Sequence, residues 1–278
     1  MPDRRTILIT GCSSGIGYHC ARGLANRGWR VFATCRQAQD VERLQAGGLE
    51  SLQLDLDDPA GVEAALDEVL ERTGGTLGAL FNNGAYGQPG AVEDLSREAL
   101  RAQFETNLFG WHELTNRVIP VMRAQGHGRI VQNSSLLGFV ALKWRGAYNA
   151  SKFALEGLTD TLRLELQGSG IHVSLIQPGP IESRFRANAL EAYRRNIDPE
   201  HSAHRDHYRA TEARLEKEGP AAPFTLGPEA VLVKLIHALE SPRPKPRYGV
   251  TVPTHLFAWC RRLLPTRLLD RLLRAASD

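Results

Sequence analysis

Apolar runs of strand length alternate with helical patterns from the first residues onward, which is the signature of a parallel sheet wrapped by helices. Thr6 to Thr10 leads into a glycine-rich turn and a helical pattern over about Tyr18 to Arg27, and Arg30 to Thr34 reads as a second strand. Ser51 to Leu54, Ala79 to Phe81, Ile130 to Gln132 and Val173 to Ile176 supply four more, with Tyr248 to Val252 as the seventh. Helical patterns lie near Pro59 to Arg72, Arg97 to Arg123, Ala147 to Gln167 and Pro228 to Leu239. This order predicts an α/β fold, a doubly wound parallel seven-stranded sheet with its ligand at the carboxyl ends of the strands.

A length of 278 residues suits one α/β core, so a single domain over 1–278 is expected. Residues 182–227 break the rhythm: the segment is long, charged and partly helical, and it follows the last central strand, where a substrate-binding lid belongs. Residues 254–277 form an amphipathic tail in which leucines alternate with Arg261, Arg262, Arg267, Arg271 and Arg274, interrupted by Pro265. Such a tail closes a hydrophobic pocket or packs on its own core more often than it lies on an anionic membrane. Ser241 to Arg247 (S-P-R-P-K-P-R) is a connector that cannot be helical.

The balance of 34 basic and 31 acidic residues, net +3, argues against a nucleic-acid partner. Cys12, Cys20, Cys35 and Cys260 show no paired spacing, and Met1 to Ile9 lacks the apolar stretch of a secretory leader, so a reducing cytoplasm is expected. His201, His204 and His207 recur every three residues, but with no cysteine or apolar frame around them they read as a solvated helix face, not a metal site.

Thr10 to Gly17 reads T-G-C-S-S-G-I-G and lies between the first strand and the first helix. Without Cβ atoms, Gly11, Gly15 and Gly17 let the backbone approach a pyrophosphate at a helix N-terminus, where free N–H groups and the dipole favour negative charge. At the end of the second strand, a free ribose 2'-hydroxyl calls for a carboxylate and a 2'-phosphate for a cation. Cys35 stands where the acid would be and Arg36 follows it, which favours NADP(H).

Only five lysines occur in the chain, and one of them, Lys152, stands four residues after Tyr148 in Y-N-A-S-K, on the same helical face. A phenol with a pKa of about 10 must be lowered by roughly 3 pH units, about 4 kcal/mol, to move protons near neutrality. An ammonium about 4 Å away at an effective dielectric of ~20 supplies about that much, so Lys152 is expected to lower the pKa of Tyr148.

Taken together, these motifs identify a chain that resembles the short-chain dehydrogenase/reductase family, single-domain branch, and the resemblance covers nearly the whole sequence. It implies the Rossmann fold. It also assigns the glycine motif of Thr10 to Gly17, including Ser13, Ser14 and Ile16, to the cofactor, and sets Asp55 and Leu56 of L-D-L-D beside the adenine. The family's N-N-A-G segment corresponds to Asn82-Asn83-Gly84-Ala85, its helical asparagine to Asn107, its serine to Ser135, thirteen residues before the tyrosine, and its P-G motif to Pro178-Gly179, with Ile181 and Ser183 after it. Two departures stand out. N-N-G-A inverts the usual Ala-Gly order, which is expected to loosen backbone packing near the cofactor, and Ser183 stands where threonine is commoner.

A-T-C-R and Pro223 to Val231 (P-F-T-L-G-P-E-A-V) are similar to bacterial NADP-dependent aldehyde reductases, and the same branch resembles retinol and 17β-hydroxysteroid dehydrogenases. The resemblance implies that Ser135 and Tyr148 hydrogen-bond a substrate oxygen, Tyr148 donating the proton in reduction. Lys152 would also hold the nicotinamide ribose, and Asn107 a water linking Lys152 to solvent. The expected activity is NADP(H)-dependent reduction of an apolar aldehyde or ketone. An oxidative alcohol, steroid or retinol dehydrogenase and a silent NADP-binding sensor are the alternatives, and a homodimer or homotetramer is the implied assembly.

Overall fold

The computed structural model of the chain describes residues 5–217, 219 and 222–277. Residues 1–4, which belong to the stretch read as lacking a leader, and 218, 220 and 221 of the expected lid lie outside the described residues. Among the described residues, β1 (Thr6–Ile9), β2 (Arg30–Cys35), β3 (Glu50–Gln53), β4 (Ala79–Asn82), β5 (Gly128–Asn133), β6 (Ile171–Gln177) and β7 (Arg247–Gly249) form one sheet in the order β3-β2-β1-β4-β5-β6-β7. Every pairing is parallel. The order reverses between β1 and β4, so the ends of these two strands open the crevice where ligands of doubly wound sheets sit.

Helices cover both faces. On one, α1 (Gly15–Ala25) and α9 (Glu229–Glu240) pack on Ile7, Ile9, Val31, Ala33 and Cys35; on the other, α3 (Pro59–Thr73), α5 (Gly110–Gln125) and α6 (Gly146–Glu165) pack on Leu8, Phe32, Leu80 and Ile130. Neighbouring residues of one strand thus serve opposite cores, so β1 reads T-I-L-I with no polar face. The ends of α3 are written locally: Asp58 accepts from the Ala60 N–H, Pro59 opens the helix, and Gly74 closes it at φ 67°.

Three expected boundaries shift. The first helix begins at Gly15, so two of the three motif glycines lie in its first turn. The pattern over Arg97 to Arg123 resolves into α4 (Arg97–Phe104), a π-helical turn over Glu105–Phe109, and α5. The seventh strand stops at Gly249, because Thr251 and Pro253 start α10 (Val252–Leu263) in place of continued strand. A polar helix, α2 (Ala38–Ala46), was not foreseen, since Leu44 is its one buried residue.

The lid segment holds α7 (Phe185–Asn196) and α8 (Arg205–Glu216) around a small core of Ala189, Tyr193, Tyr208 and Leu215. A parallel bridge between Ile181 and Leu226 ties the segment's two ends together. The tail is α10 and α11 (Thr266–Ser277), parted at Pro265. No helix among the described residues is long and apolar enough to cross a membrane.

Candidate active site

The glycine turn is tight because it packs on backbone. A Cβ on Gly11, whose φ is +70°, would lie 2.4 Å from the Gly84 Cα, and one on Gly17 would lie 2.2 Å from the Gly11 carbonyl oxygen. Asn83 laces the two segments: its N–H donates to Thr10 Oγ1 at 2.8 Å, and its carboxamide donates to the Thr10 and Gly11 carbonyls. Packing at the inverted Ala-Gly is therefore close, not loosened, because a Cβ on Gly84 would press on Gly11 and on Leu56 at 3.2 Å. Asn82 turns the other way, donating to Thr115 Oγ1 at 2.9 Å.

Asn107 lies in the π-helical turn and is fully buried. Its carboxamide accepts from the Tyr86 N–H at 3.2 Å and donates to the Tyr86 carbonyl at 2.9 Å and to Ser151 Oγ at 3.3 Å. Three protein contacts thus occupy the side chain expected to hold a water, and they clamp the loop that follows β4. Such π turns are rare and gather at functional sites.

Ser135 follows the end of β5, and Tyr148 and Lys152 stand on the first turns of α6. Ser135 Oγ accepts from the Leu137 N–H at 3.0 Å and lies close enough to the Tyr148 phenol to hold its pKa down in part. Lys152 is buried; its Nζ donates to the Asn133 carbonyl at 2.8 Å and sits 4.1 Å from the Trp111 ring centre, but 5.8 Å from that of Tyr148. The electrostatic expectation is overturned here. Burial pushes the Tyr148 phenol up to about 12, with Ser135 and Arg145 only partly offsetting it, and burial pulls Lys152 down to about 7 against the pull of Glu156. Both charged forms lose water, and in the cofactor-free chain this burial outweighs the lysine's influence on the phenol.

At the adenosine end, Cys35 is 1% exposed and belongs to the core, with burial pushing its thiol up to about 12; no carboxylate stands at this position. Arg36 is exposed beside it. Arg43 of α2 was not foreseen: its guanidinium donates to the Ser13 carbonyl at 2.6 Å, which holds a second cation over the glycine turn. Asp55 accepts from the Asp57 N–H at 3.1 Å, and the buried Leu56 packs under Gly84 and Gly110.

The segment after β6 closes the site from the other side. The Pro178 carbonyl accepts from the Leu136 N–H at 2.7 Å, and a Cβ on Gly179 would strike Thr251 Oγ1. Ser183 faces the glycine turn, where a Cβ on Gly15 would lie 2.8 Å from its own Cβ, and its hydroxyl accepts from the Phe185 N–H at 3.3 Å. Phe185, the first residue of the lid helix, meets the Tyr148 ring edge-on at 5.3 Å. The sequence gives no sign of this contact, nor of Trp111, which stands one turn after Asn107 and donates to the Gly84 carbonyl at 2.7 Å. The lid histidines take separate partners: His201 pairs with Asp198, His204 with Glu93, and His207 stacks on Trp144.

A dinucleotide fits these residues. The N-terminus of α1 has neither a side-chain cap nor an acidic residue in its first turn, so its N–H groups are free for an anion. At the far end of the crevice, Asn133 Oδ1 and Ser134 Oγ are buried without partners among the described residues, and Asn133 is also the residue whose carbonyl receives Lys152.

A doubly wound sheet whose glycine turn faces a Ser–Tyr–Lys set defines a class of nicotinamide-dependent oxidoreductases. The chain belongs to the short-chain dehydrogenase family, whose model matches residues 5–194. The "Uncharacterized oxidoreductase YbbO" of Escherichia coli strain K12 is 44% identical to it, over 98% of this chain and 94% of its own length. Human 17-beta-hydroxysteroid dehydrogenase type 1 is 34% identical, over 89% of this chain and 78% of its own. Among solved structures, a short chain dehydrogenase/reductase from Burkholderia phymatum in complex with NAD superposes with a TM-score of 0.78 at 25% identity, covering 99% of this chain and 96% of its own.

Proposed function

We propose that the chain is an NADP(H)-dependent reductase of apolar aldehydes or ketones, with Ser135, Tyr148, Lys152 and Asn107 as its working set. The observation that carries this reading is the edge-on contact of Phe185 with Tyr148 at 5.3 Å, with Lys152 one turn on, on the side of the crevice where Ser183 faces the glycine turn. A bound reduced nicotinamide would supply the hydride. Ser135 and Tyr148 would orient the carbonyl oxygen, and Tyr148 would give it a proton from its hydroxyl. Burial raises the Tyr148 phenol in the cofactor-free chain, so Tyr148 carries its proton before substrate arrives, as a donor in reduction must. On this reading Lys152 would exchange its Asn133 carbonyl for the nicotinamide ribose, and a water held by the backbone of the Asn107 turn would link it to solvent.

On this reading Gly11, Ser13, Ser14, Gly15, Ile16 and Gly17 hold the pyrophosphate, and Asp55, Leu56, Asn82, Asn83 and Gly84 line the adenosine side and floor. Pro178, Gly179, Ile181 and Ser183 then flank the nicotinamide. Arg36 supports NADP(H), with Cys35 offering no carboxylate at the strand end, while Arg43 near Ser13 is paired with Asp40. The likeness to the human steroid dehydrogenase favours a second reading, oxidation of a hydrophobic alcohol at the same site. The test is consumption of NADPH on addition of aldehydes of increasing chain length, set against reduction of NADP by the matching alcohols.

A further inference from the structure

The two tail helices each have three faces. In α10, Phe257 and Cys260 turn inward, with Leu264 just after its end, and in α11 Leu269 and Leu273 do; these side chains cluster with Leu136 and Val140, just beyond Ser135. A second apolar edge faces outward. Val252, Leu256, Trp259 and Leu263 follow one another at helical spacing along α10 and are 59%, 56%, 60% and 71% exposed; Leu268 and Leu272 repeat the pattern on α11, each 45% exposed. At 100° per residue, Leu268 and Leu272 fall between the buried pair on one side and Arg267, Arg271 and Arg274 on the other, and Arg262 flanks the outward edge of α10.

From Val252 to Ser277 there are five arginines and one acidic residue, Asp270, so this short segment carries an excess larger than the +3 of the whole chain. An exposed leucine row with a tryptophan among it, bordered by arginines, matches an interface with an apolar interior and a negative surface. A second copy of the same positive face would repel it.

We propose that the α10–α11 face docks on an anionic lipid surface, burying Val252, Leu256, Trp259, Leu263, Leu268 and Leu272 at the headgroup boundary while the arginines engage lipid phosphates. Because the inner faces of the same helices wall the segment after Ser135, a docked chain holds its substrate side against the bilayer, within reach of apolar compounds dissolved there. Docking is independent of the redox reading, since it is measured without turnover.

The test is co-sedimentation of the full chain with vesicles of phosphatidylcholine containing phosphatidylglycerol, against phosphatidylcholine alone. Binding to the anionic vesicles should weaken with salt and be accompanied by a blue shift of tryptophan emission that Trp259→Phe removes, since Trp29 and Trp111 are buried and Trp144 packs against His207. Leu263→Glu, on the most exposed leucine of the stripe, should abolish it, and replacing Arg267 and Arg271 together by Gln should weaken it roughly 30-fold. Circular dichroism melting of each variant checks that the fold persists. Equal binding to neutral vesicles, full binding by Leu263→Glu, or self-association through this face without vesicle binding would each overturn the proposal.

Discussion

Between Thr6 and Gly179 the side chains of the site are fixed by backbone: Thr10 and Asn83 tie two loops together, Asn107 clamps Tyr86, and Gly11 rests on Gly84. Between Glu182 and Ser277 the same task falls to side chain on side chain, with Phe185 on Tyr148, His207 on Trp144, and Leu269 and Leu273 on Leu136. A backbone-held pocket suits a ligand that never varies, because shifting one atom means moving a strand. A pocket walled by interchangeable apolar side chains suits a variable ligand, since one residue can be resized without disturbing the sheet.

This contrast is sharpest at Tyr148, where the two regions meet. Tyr148→Phe should lower kcat by a factor of roughly 10² to 10⁴ while leaving NADPH affinity unchanged by fluorescence titration, because only the proton donor is lost. A variant retaining half the wild-type rate would remove Tyr148 from the chemistry.

A smaller effect is expected from the lid side. Phe185→Ala removes an edge-on aromatic contact worth roughly 0.5–1.5 kcal/mol, so kcat/KM should fall about two- to tenfold, mostly through KM and more for long aldehydes than short ones. An equal loss for both lengths, with weaker NADPH binding, would mean that the lid serves the cofactor after all.

The smallest effect is expected in the stability of the cofactor-free chain, and it is read at Lys152. Burial lowers its pKa from 10.5 to about 7, so between those pH values the unfolded chain holds a proton that the cofactor-free folded chain has released. Stability contributed by this group therefore rises with pH across that window. Lys152→Met should raise Tm at pH 7, and the gain over wild type should shrink by pH 9. A gain that is constant with pH would show that Lys152 remains charged when folded.

Legibility followed the same division. Gly11, Gly15 and Gly17, the Tyr148–Lys152 spacing and the strand order were readable because each requirement is local in sequence or common to every sheet of this type. Trp111, Arg43 and Phe185 were not, since each acts through a contact made only after distant segments meet: with Lys152, with Ser13 and with Tyr148. The direction of the Tyr148 shift was misread for a related reason. Spacing sets two residues on one helical face, but it says nothing of how far burial strips both of water, and here burial prevails. The helix α2 escaped notice because its sequence shows only one buried residue to set its period.

The central claim is hydride transfer from NADPH to an apolar carbonyl, and the direct test is the initial rate of cofactor oxidation with NADPH and with NADH, using one long-chain aldehyde, for wild type and Arg36→Leu. A charge-assisted contact of about 1.5–3 kcal/mol predicts a ten- to hundredfold preference for NADPH in wild type, lost largely in the variant. Equal rates with both cofactors in wild type, or no oxidation of either, would contradict the account; a preference that survives Arg36→Leu would move the 2'-phosphate to Arg43.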